Sequence, residues 1–166
     1  HEARFGMFVH WGLYSGLAGT WDGRAVATSG GMEWIQNSVK ADTDSYAKRA
    51  VPLFRPKPGF AREWARVAKA AGAKYIVVTS KHHEGFCLWD TKTTDRKVTK
   101  GVLGRDVLAE LKRSCDQHGI KLALYFSEGD WTWEGSVQGK KSGPNPEMKK
   151  AQLKELLTQY GPIEYI

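Results

Sequence analysis

Short apolar segments that alternate with longer amphipathic segments are the feature that most constrains the fold of this chain. The apolar segments span residues 5–10, 74–80 and 120–127, and residues 163–166 begin a fourth. Nearly continuous apolarity over so few residues is typical of a strand buried on both faces of a parallel sheet. Because strands separated by helices form right-handed βαβ units, the sequence predicts an α/β fold in which parallel strands alternate with helices.

The segments between the predicted strands carry apolar residues at helical spacing, which predicts a helix in each. A shorter helix is expected at residues 43–50, before Pro52. Gly72, Gly119 and Gly161 stand where the three longer helices are expected to end. The apolar stripes consist of Phe60, Trp64, Val67, Ala68 and Ala71; of Val107, Leu108, Leu111 and Cys115; and of Met148, Leu153, Leu156, Leu157 and Tyr160.

The connections that follow the predicted strands are long, whereas those that precede them are short. The unusual polar and aromatic residues are concentrated in the long connections. Active sites of β/α folds lie at the carboxyl ends of the strands. The sequence therefore predicts that any chemistry is placed on the loops after His10, Ser80 and Ser127.

Composition removes several functional classes. The 166 residues carry a net charge of +7, but Lys and Arg are scattered among Asp and Glu, which favours a mixed solvated surface over a nucleic-acid site. No apolar run approaches the ~18 residues of a membrane span. The 2 Cys are too few for a disulfide scaffold, and neither has metal-ligand spacing. The 7 Trp point instead to stacking surfaces for rings, although we interpret Trp21 and Trp89 as packing residues.

The pairs His10-Trp11 and Glu33-Trp34 each place a polar residue before a tryptophan, at the end of the first predicted strand and in the connection that follows it. A histidine at the end of a strand can donate to a substrate hydroxyl, and a neighbouring indole can stack on a ring. The alternative is that His10 is a satisfied core histidine with a packing Trp11, and that Glu33 begins a helix beside a packing Trp34. The residues alone leave both interpretations open.

Two adjacent histidines, His82 and His83, follow the second predicted strand. Successive side chains of a strand point to opposite faces, so both rings can reach one site only if the chain turns, which Gly85 permits. Two imidazoles there suit hydrogen bonds to a polyhydroxylated ligand; the alternative is one packed and one surface histidine. A zinc site needs three or four ligands, and no third His or Cys is suitably spaced, so we predict no metal site.

Carboxylates and indoles also mix after the third predicted strand. The segment that begins at Tyr125 contains Glu128, Asp130, Trp131, Trp133 and Glu134. Aromatic faces pack on the C–H surfaces of sugars, while carboxylates accept hydrogen bonds from sugar hydroxyls. The segment is therefore either part of a sugar site or a polar loop with aromatic anchors.

Taken together in this order, residues 4–15, 33–35, 80–86 and 125–131 closely resemble the catalytic domain of the α-L-fucosidases of glycoside hydrolase family 29. The His-Trp-Gly and Lys-His-His-Glu-Gly-Phe motifs are the most specific. The resemblance implies a (β/α)8 TIM-like barrel that hydrolyses terminal α-L-fucosides with retention and without a metal or organic cofactor. Because such a barrel takes ~250 residues, residues 1–166 are expected to be its N-terminal half, a partial glycoside hydrolase catalytic domain.

The resemblance also implies roles for individual residues. Trp11, Asp130 and Trp131 are further pocket candidates, and the partner is expected to be a fucosylated glycan, with no nucleic acid or membrane. Glu84 and Phe126 depart from the Asp and Tyr that are common in the family. The expected fucose contacts are His10, Glu33, Trp34, His82, His83 and Tyr125.

The chain opens with His1 and ends at Ile166 within an apolar run, so we expect it to be a piece of a longer protein. The resemblance places the nucleophilic Asp just after Ile166 and the acid/base Glu further on, and Glu164 lies too early in its strand to replace them. These 166 residues alone are therefore expected to be inactive. The alternative is a non-catalytic sugar-binding relic of the same fold. The resemblance also indicates an extracytoplasmic location.

Overall fold

The structure is a computed structural model that describes residues 4–101, 103–132 and 145–166. Short 3-10 turns at Met32–Trp34 and Val51–Leu53 join some of its regular elements. In chain order, those elements are β1 (Gly6–Val9), α1 (Leu13–Leu17), β2 (Thr20–Trp21), β3 (Arg24–Ala25), α2 (Ile35–Ser38), α3 (Thr43–Ala50), α4 (Phe60–Ala70), β4 (Tyr75–Lys81), α5 (Val107–His118), β5 (Lys121–Phe126) and α6 (Pro146–Gln159).

A three-stranded parallel sheet of order β1-β4-β5 forms the centre of the molecule. Gly6 of β1 pairs with Tyr75 of β4, and Tyr75 pairs in turn with Lys121 of β5, so the strands begin level with one another. This arrangement confirms the predicted α/β fold with a parallel sheet and helical connections. Because the strands are level and parallel, the loops after Val9, Lys81 and Phe126 meet at one edge of the sheet.

Residues 163–166 do not form the predicted fourth strand. The segment does lie beside β5, because Glu164 N donates to Leu122 O at 2.8 Å and Leu124 N donates to Tyr165 O at 3.0 Å. Two backbone hydrogen bonds are too few for a regular ladder. The apolar residues of this segment therefore lie against the sheet without forming a strand of it.

The four predicted helices form as α3, α4, α5 and α6, whereas α1 and α2 were not predicted, and the ends of the longer helices follow the expected capping chemistry. The Asp106 carboxylate accepts from Ala109 N at 2.8 Å at the start of α5, and Gly119 ends that helix in a left-handed conformation with φ of 68°. Asn145 caps α6 in the same way, accepting from Met148 N at 3.1 Å.

The buried faces of α4 and α6 differ from the predicted stripes. Val67 is 44% exposed and Leu157 is 55% exposed, although both were expected to face the core. On α6 the polar Glu155 turns inward, because its carboxylate accepts from Trp89 Nε1 and from Lys92 N, both at 2.9 Å. A specific polar contact therefore rotates this helix away from its simplest amphipathic orientation.

Trp89 and Trp21 are packing residues, as predicted. Trp89 is fully buried, and the Trp21 ring stacks on Tyr46 with an interplanar angle of 7°. Cys87 and Cys115 are free and buried. Within residues 4–101, 103–132 and 145–166, each helix is too short or too polar to span a bilayer.

Candidate functional site

Four aromatic side chains from three loops and strand ends meet at the carboxyl edge of the sheet. The His10 ring lies 5.1 Å from His82 and 5.6 Å from Tyr125, measured between centroids. The His82 ring lies 4.3 Å from His83 and stacks on Tyr125 at 5.8 Å. The two adjacent histidines therefore converge with His10, which is the arrangement that a shared site requires.

Two indoles and one carboxylate extend this group of rings. Trp34 and Trp131 lie 5.2 Å and 5.3 Å from the His83 ring and 5.6 Å from each other. A carboxylate oxygen of Glu33 lies within 4.8 Å of a ring nitrogen of His10 and of His82. We call the whole group the carboxyl-edge cluster; it consists of His10, Glu33, Trp34, His82, His83, Tyr125 and Trp131.

A tight turn after β4 brings both histidines to the same place. Gly85 N donates to His82 O at 3.0 Å, and Gly85 has φ of +76°, a conformation that favours glycine. A Cβ at this position would lie 2.5 Å from Thr132 Cγ2. Gly85 is therefore required both by the turn and by the close approach of the loop that follows β5.

His83 is held in one orientation by the loop after β5. Ser127 Oγ donates its proton to Gly129 O at 2.9 Å. In its contact with His83 at 2.5 Å the hydroxyl oxygen therefore accepts, and the Nδ1–H of the imidazole donates. Trp131 N donates to the His83 carbonyl at 2.7 Å. Burial lowers the pKa of His83 below its usual value. A neutral ring that donates through Nδ1 offers Nε2 as a hydrogen-bond acceptor.

A buried carboxyl lies beneath His82. Glu84 Oε2 is 3.7 Å from His82 Nδ1, and neither atom has a hydrogen-bond partner. Burial raises the pKa of Glu84 to about 8. Burial, together with the nearby His83 and His10, lowers the pKa of His82 to about 3. Both side chains are therefore neutral near pH 7, and the floor of the cluster carries no net charge from this pair.

Asp130 does not face the cluster, although the sequence made it a pocket candidate. Its Oδ2 pairs with Lys81 Nζ at 2.9 Å, and both side chains are 2% exposed. Its Oδ1 accepts from Thr132 N at 2.9 Å and from Thr132 Oγ1 at 2.5 Å. With both oxygens engaged inside the protein, the structure does not favour Asp130 as a sugar contact. Its carboxylate instead joins the end of β4 to the loop after β5.

Trp11 is also directed away from the cluster. Its ring packs against Phe54, Phe60 and Trp64, with centroid distances between 4.9 and 5.0 Å. Its backbone N–H donates to Thr79 Oγ1 at 3.2 Å. The packing alternative is therefore the correct one for Trp11, because successive residues at a strand end point to opposite sides and His10 takes the side of the site.

Sequence reasoning did not assign several side chains that support the cluster. Lys81 and Glu84 flank the histidine pair within one motif, and this position was the available signal. Tyr14 lies 5.7 Å from the His10 ring and 5.8 Å from the His82 ring. The predicted contributions of Trp133 and Glu134 fall outside the described residues.

Comparison with known proteins identifies the family. The family model described as Alpha-L-fucosidase matches residues 1–166. The alpha-L-fucosidase of Dictyostelium discoideum is 31% identical over 97% of this chain and 39% of its own length. The tissue alpha-L-fucosidase of Rattus norvegicus is 36% identical over 86% of this chain and 32% of its own length. This chain thus spans well under half the length of either relative.

Solved structures agree with the sequence relatives. An alpha-L-fucosidase of family GH29 from Bacteroides thetaiotaomicron is similar to this chain with a TM-score of 0.85 and 34% identity, covering 99% of this chain and 38% of that one. An alpha-L-fucosidase from Lactobacillus casei, in complex with alpha-L-fucose product, gives 0.79 and 30%, covering 98% and 57%. By family model, relatives and fold, the chain belongs to the alpha-L-fucosidase family.

Proposed function

We propose that residues 1–166 are the N-terminal half of the (β/α)8 catalytic domain of a retaining α-L-fucosidase, and that the carboxyl-edge cluster binds the fucose ring. The observation that supports this proposal is the convergence of three imidazoles, two indoles and one carboxylate at the carboxyl ends of three parallel strands. In β/α barrels this edge of the sheet is the one that carries the active site.

The chemistry of the cluster matches a deoxy sugar, which has both polar hydroxyls and an apolar face. The indoles of Trp34 and Trp131 offer apolar surfaces for the C–H groups of the ring. The Nε2 atom of His83 and the carboxylate of Glu33 accept hydrogen bonds from hydroxyl groups. These contacts fix the position of the sugar, which lowers the barrier of a subsequent displacement by avoiding a loss of rotational freedom.

Retaining hydrolysis requires two carboxyl groups about 5–5.5 Å apart, one as nucleophile and one as acid/base. Among the described residues, the cluster contains one carboxylate, Glu33, while Glu84 is buried beneath it and Asp130 is engaged by Lys81. We therefore assign Glu33 to sugar binding. Following the family resemblance, we propose that the nucleophile and the acid/base lie outside these 166 residues.

Titration of the chain with L-fucose, followed by tryptophan fluorescence, tests the binding proposal. Trp34 and Trp131 lie in the cluster, so binding is expected to change their emission and to saturate. D-fucose is the matched control, because it has the same groups with the opposite handedness. His83→Ala removes an acceptor and is expected to weaken binding by about 1–3 kcal/mol. Equal responses to both enantiomers, or an unchanged affinity in His83→Ala, would contradict the proposal.

Hydrolysis of a nitrophenyl α-L-fucoside tests the assignment of the catalytic carboxylates. We expect no nitrophenol release by the 166-residue chain, and release by the parent protein that includes the residues after Ile166. Fucosidase activity of the 166-residue chain alone would show that the assignment is wrong. Fucose binding without activity in the parent protein would favour the non-catalytic relic.

A further inference from the structure

We propose that His10, Glu33 and His82 together bind a divalent transition-metal ion, with Zn²⁺ as the representative case, and that the ion and the sugar exclude each other. One ring nitrogen from each histidine and one carboxylate oxygen of Glu33 lie within 4.8 Å of one another. Two imidazoles and one carboxylate are a donor set that Zn²⁺ accepts with further positions left open for water.

The geometry requires only a small closure around the ion. Ligand bonds of 2.0–2.2 Å in a tetrahedral site place neighbouring donor atoms roughly 3.4 Å apart. His10 is exposed and Glu33 is half-buried, so both side chains can rotate toward an ion. His82 is 3% exposed and fixed by its packing, so it provides the rigid side of the site.

The surroundings of His82 supply an independent observation. Its Nδ1 atom is buried without a hydrogen-bond partner, 3.7 Å from Glu84 Oε2. This arrangement leaves Nε2 as the nitrogen that coordinates, with the carboxyl group behind the ring. Metal-binding imidazoles commonly have a hydrogen-bond partner at their second nitrogen, and the Glu84 carboxyl group stands 3.7 Å from that atom of His82.

This inference revises the expectation that the chain has no metal site. That expectation considered only His and Cys as ligands and required them to be close in sequence. The fold instead brings His10 and His82 together from separate loops, and Glu33 joins them from a third segment. Carboxylate ligands from distant loops leave no spacing pattern in the sequence.

Isothermal titration of the 166-residue chain with zinc chloride tests the site, with magnesium chloride as a comparison because Mg²⁺ prefers six oxygen ligands. We expect one Zn²⁺ per chain and no comparable binding of Mg²⁺. The variants His10→Gln, Glu33→Gln and His82→Gln are each expected to weaken Zn²⁺ binding at least ~10-fold. His10→Gln is decisive because this exposed side chain is replaced without disturbing the core.

Other histidines provide the controls. His118 Nδ1 donates to the Ser114 carbonyl at 2.8 Å near the end of α5, and His83 is already held by Ser127. Zn²⁺ binding is expected to persist in His118→Gln, His83→Gln and His1→Gln. Absence of Zn²⁺ binding to the unsubstituted 166-residue chain would overturn the proposal. Equal binding in His10→Gln, or loss of binding in His118→Gln or His1→Gln, would also overturn it.

Competition with the sugar rests on the proposed function and is measured separately. Zn²⁺ at ten times its dissociation constant is expected to raise the apparent dissociation constant for L-fucose about 11-fold, and His10→Gln is expected to remove most of this effect. Zn²⁺ binding without fucose binding would leave the metal site standing and refute the proposed function. Simultaneous binding of both ligands without any change in either affinity would refute mutual exclusion.

Discussion

Replacement of Asp130 by Asn is expected to destabilise the chain strongly, because it breaks a buried ion pair on one side. Lys81 Nζ and Asp130 Oδ2 are 2.9 Å apart, and each side chain is 2% exposed. In the variant the ammonium group faces a neutral amide, with the Phe126 ring still 4.7 Å away. Removal of one partner from a buried pair costs about 3–5 kcal/mol, which is a large part of a total stability of about 5–15 kcal/mol.

Urea and thermal unfolding measure this loss. A domain of this size loses about 2–4 °C in Tm for each kcal/mol, so Asp130→Asn is expected to lower Tm by about 6–20 °C. Asp95→Asn is the matched control, because Asp95 pairs with Lys100 at 3.6 Å with side chains that are 83% and 59% exposed. The free energy of unfolding of Asp95→Asn is expected to lie within about 0.5 kcal/mol of that of the unsubstituted chain.

A double variant separates the charge from the shape of these side chains. Lys81→Met combined with Asp130→Asn leaves no unpaired buried charge, so its loss of stability is expected to be smaller than the sum of the two single losses by about 0.5–3 kcal/mol. A loss below about 1 kcal/mol in Asp130→Asn, or strict additivity in the double variant, would refute the view that this ion pair joins the end of β4 to the loop after β5.

Three further substitutions test other parts of the structure. Gly85→Ala places a Cβ 2.5 Å from Thr132 Cγ2 at a φ of +76° and is expected to cost more in urea unfolding than Gly104→Ala, which meets no atom within 4 Å at φ of +62°. Burial raises the pKa of Glu84 to about 8. The stability that Glu84 contributes is therefore fully present below its unfolded pKa near 4.5 and is lost as the pH rises to 8. In Glu84→Gln this decline of stability with pH is expected to flatten, and an unchanged slope contradicts the assignment. Asp106→Ala removes the cap of α5 and also the hydrogen bonds that Asp106 Oδ2 accepts from Asp90 N and from the Tyr160 hydroxyl. It is therefore expected to cost more than the about 0.5–2 kcal/mol of a cap alone, measured by thermal unfolding; no change in Tm would show that these contacts are dispensable.

The three strands of the parallel sheet and the four longest helices were predictable from the sequence. The absence of a fourth strand at residues 163–166, the β2-β3 pair, the short helices α1 and α2 and the orientations of two longer helices were not. The periods of the apolar residues and the capping residues Asp106 and Gly119 are local signals that survive in the folded chain. The outward position of Leu157 follows from contacts of Glu155 with Trp89 and Lys92, which lie in a loop far from α6 in sequence. Local periodicity contains no information about such a distant partner.

Much of the candidate site was also predictable, because the motifs place polar and aromatic residues at strand ends. The shared position of His82 and His83 depended on a turn that Gly85 permits, and the structure contains that turn. The positions of Trp11 and Asp130 were not predictable. A shift of one residue at a strand end turns a side chain to the opposite side of the sheet. The partner that each side chain finds, such as Lys81 for Asp130, is fixed only by the fold.

The hydrogen bond from Trp11 N to Thr79 Oγ1 has a consequence for the order of folding. It joins the end of β1 to β4 across 68 residues, so the chain forms this contact only after a large loop has closed. Contacts between distant residues slow folding, because the entropy of closure is lost before the contact is gained. His10 and His82 come together only when β1 and β4 have paired, so the carboxyl-edge cluster cannot be completed before this long-range pairing.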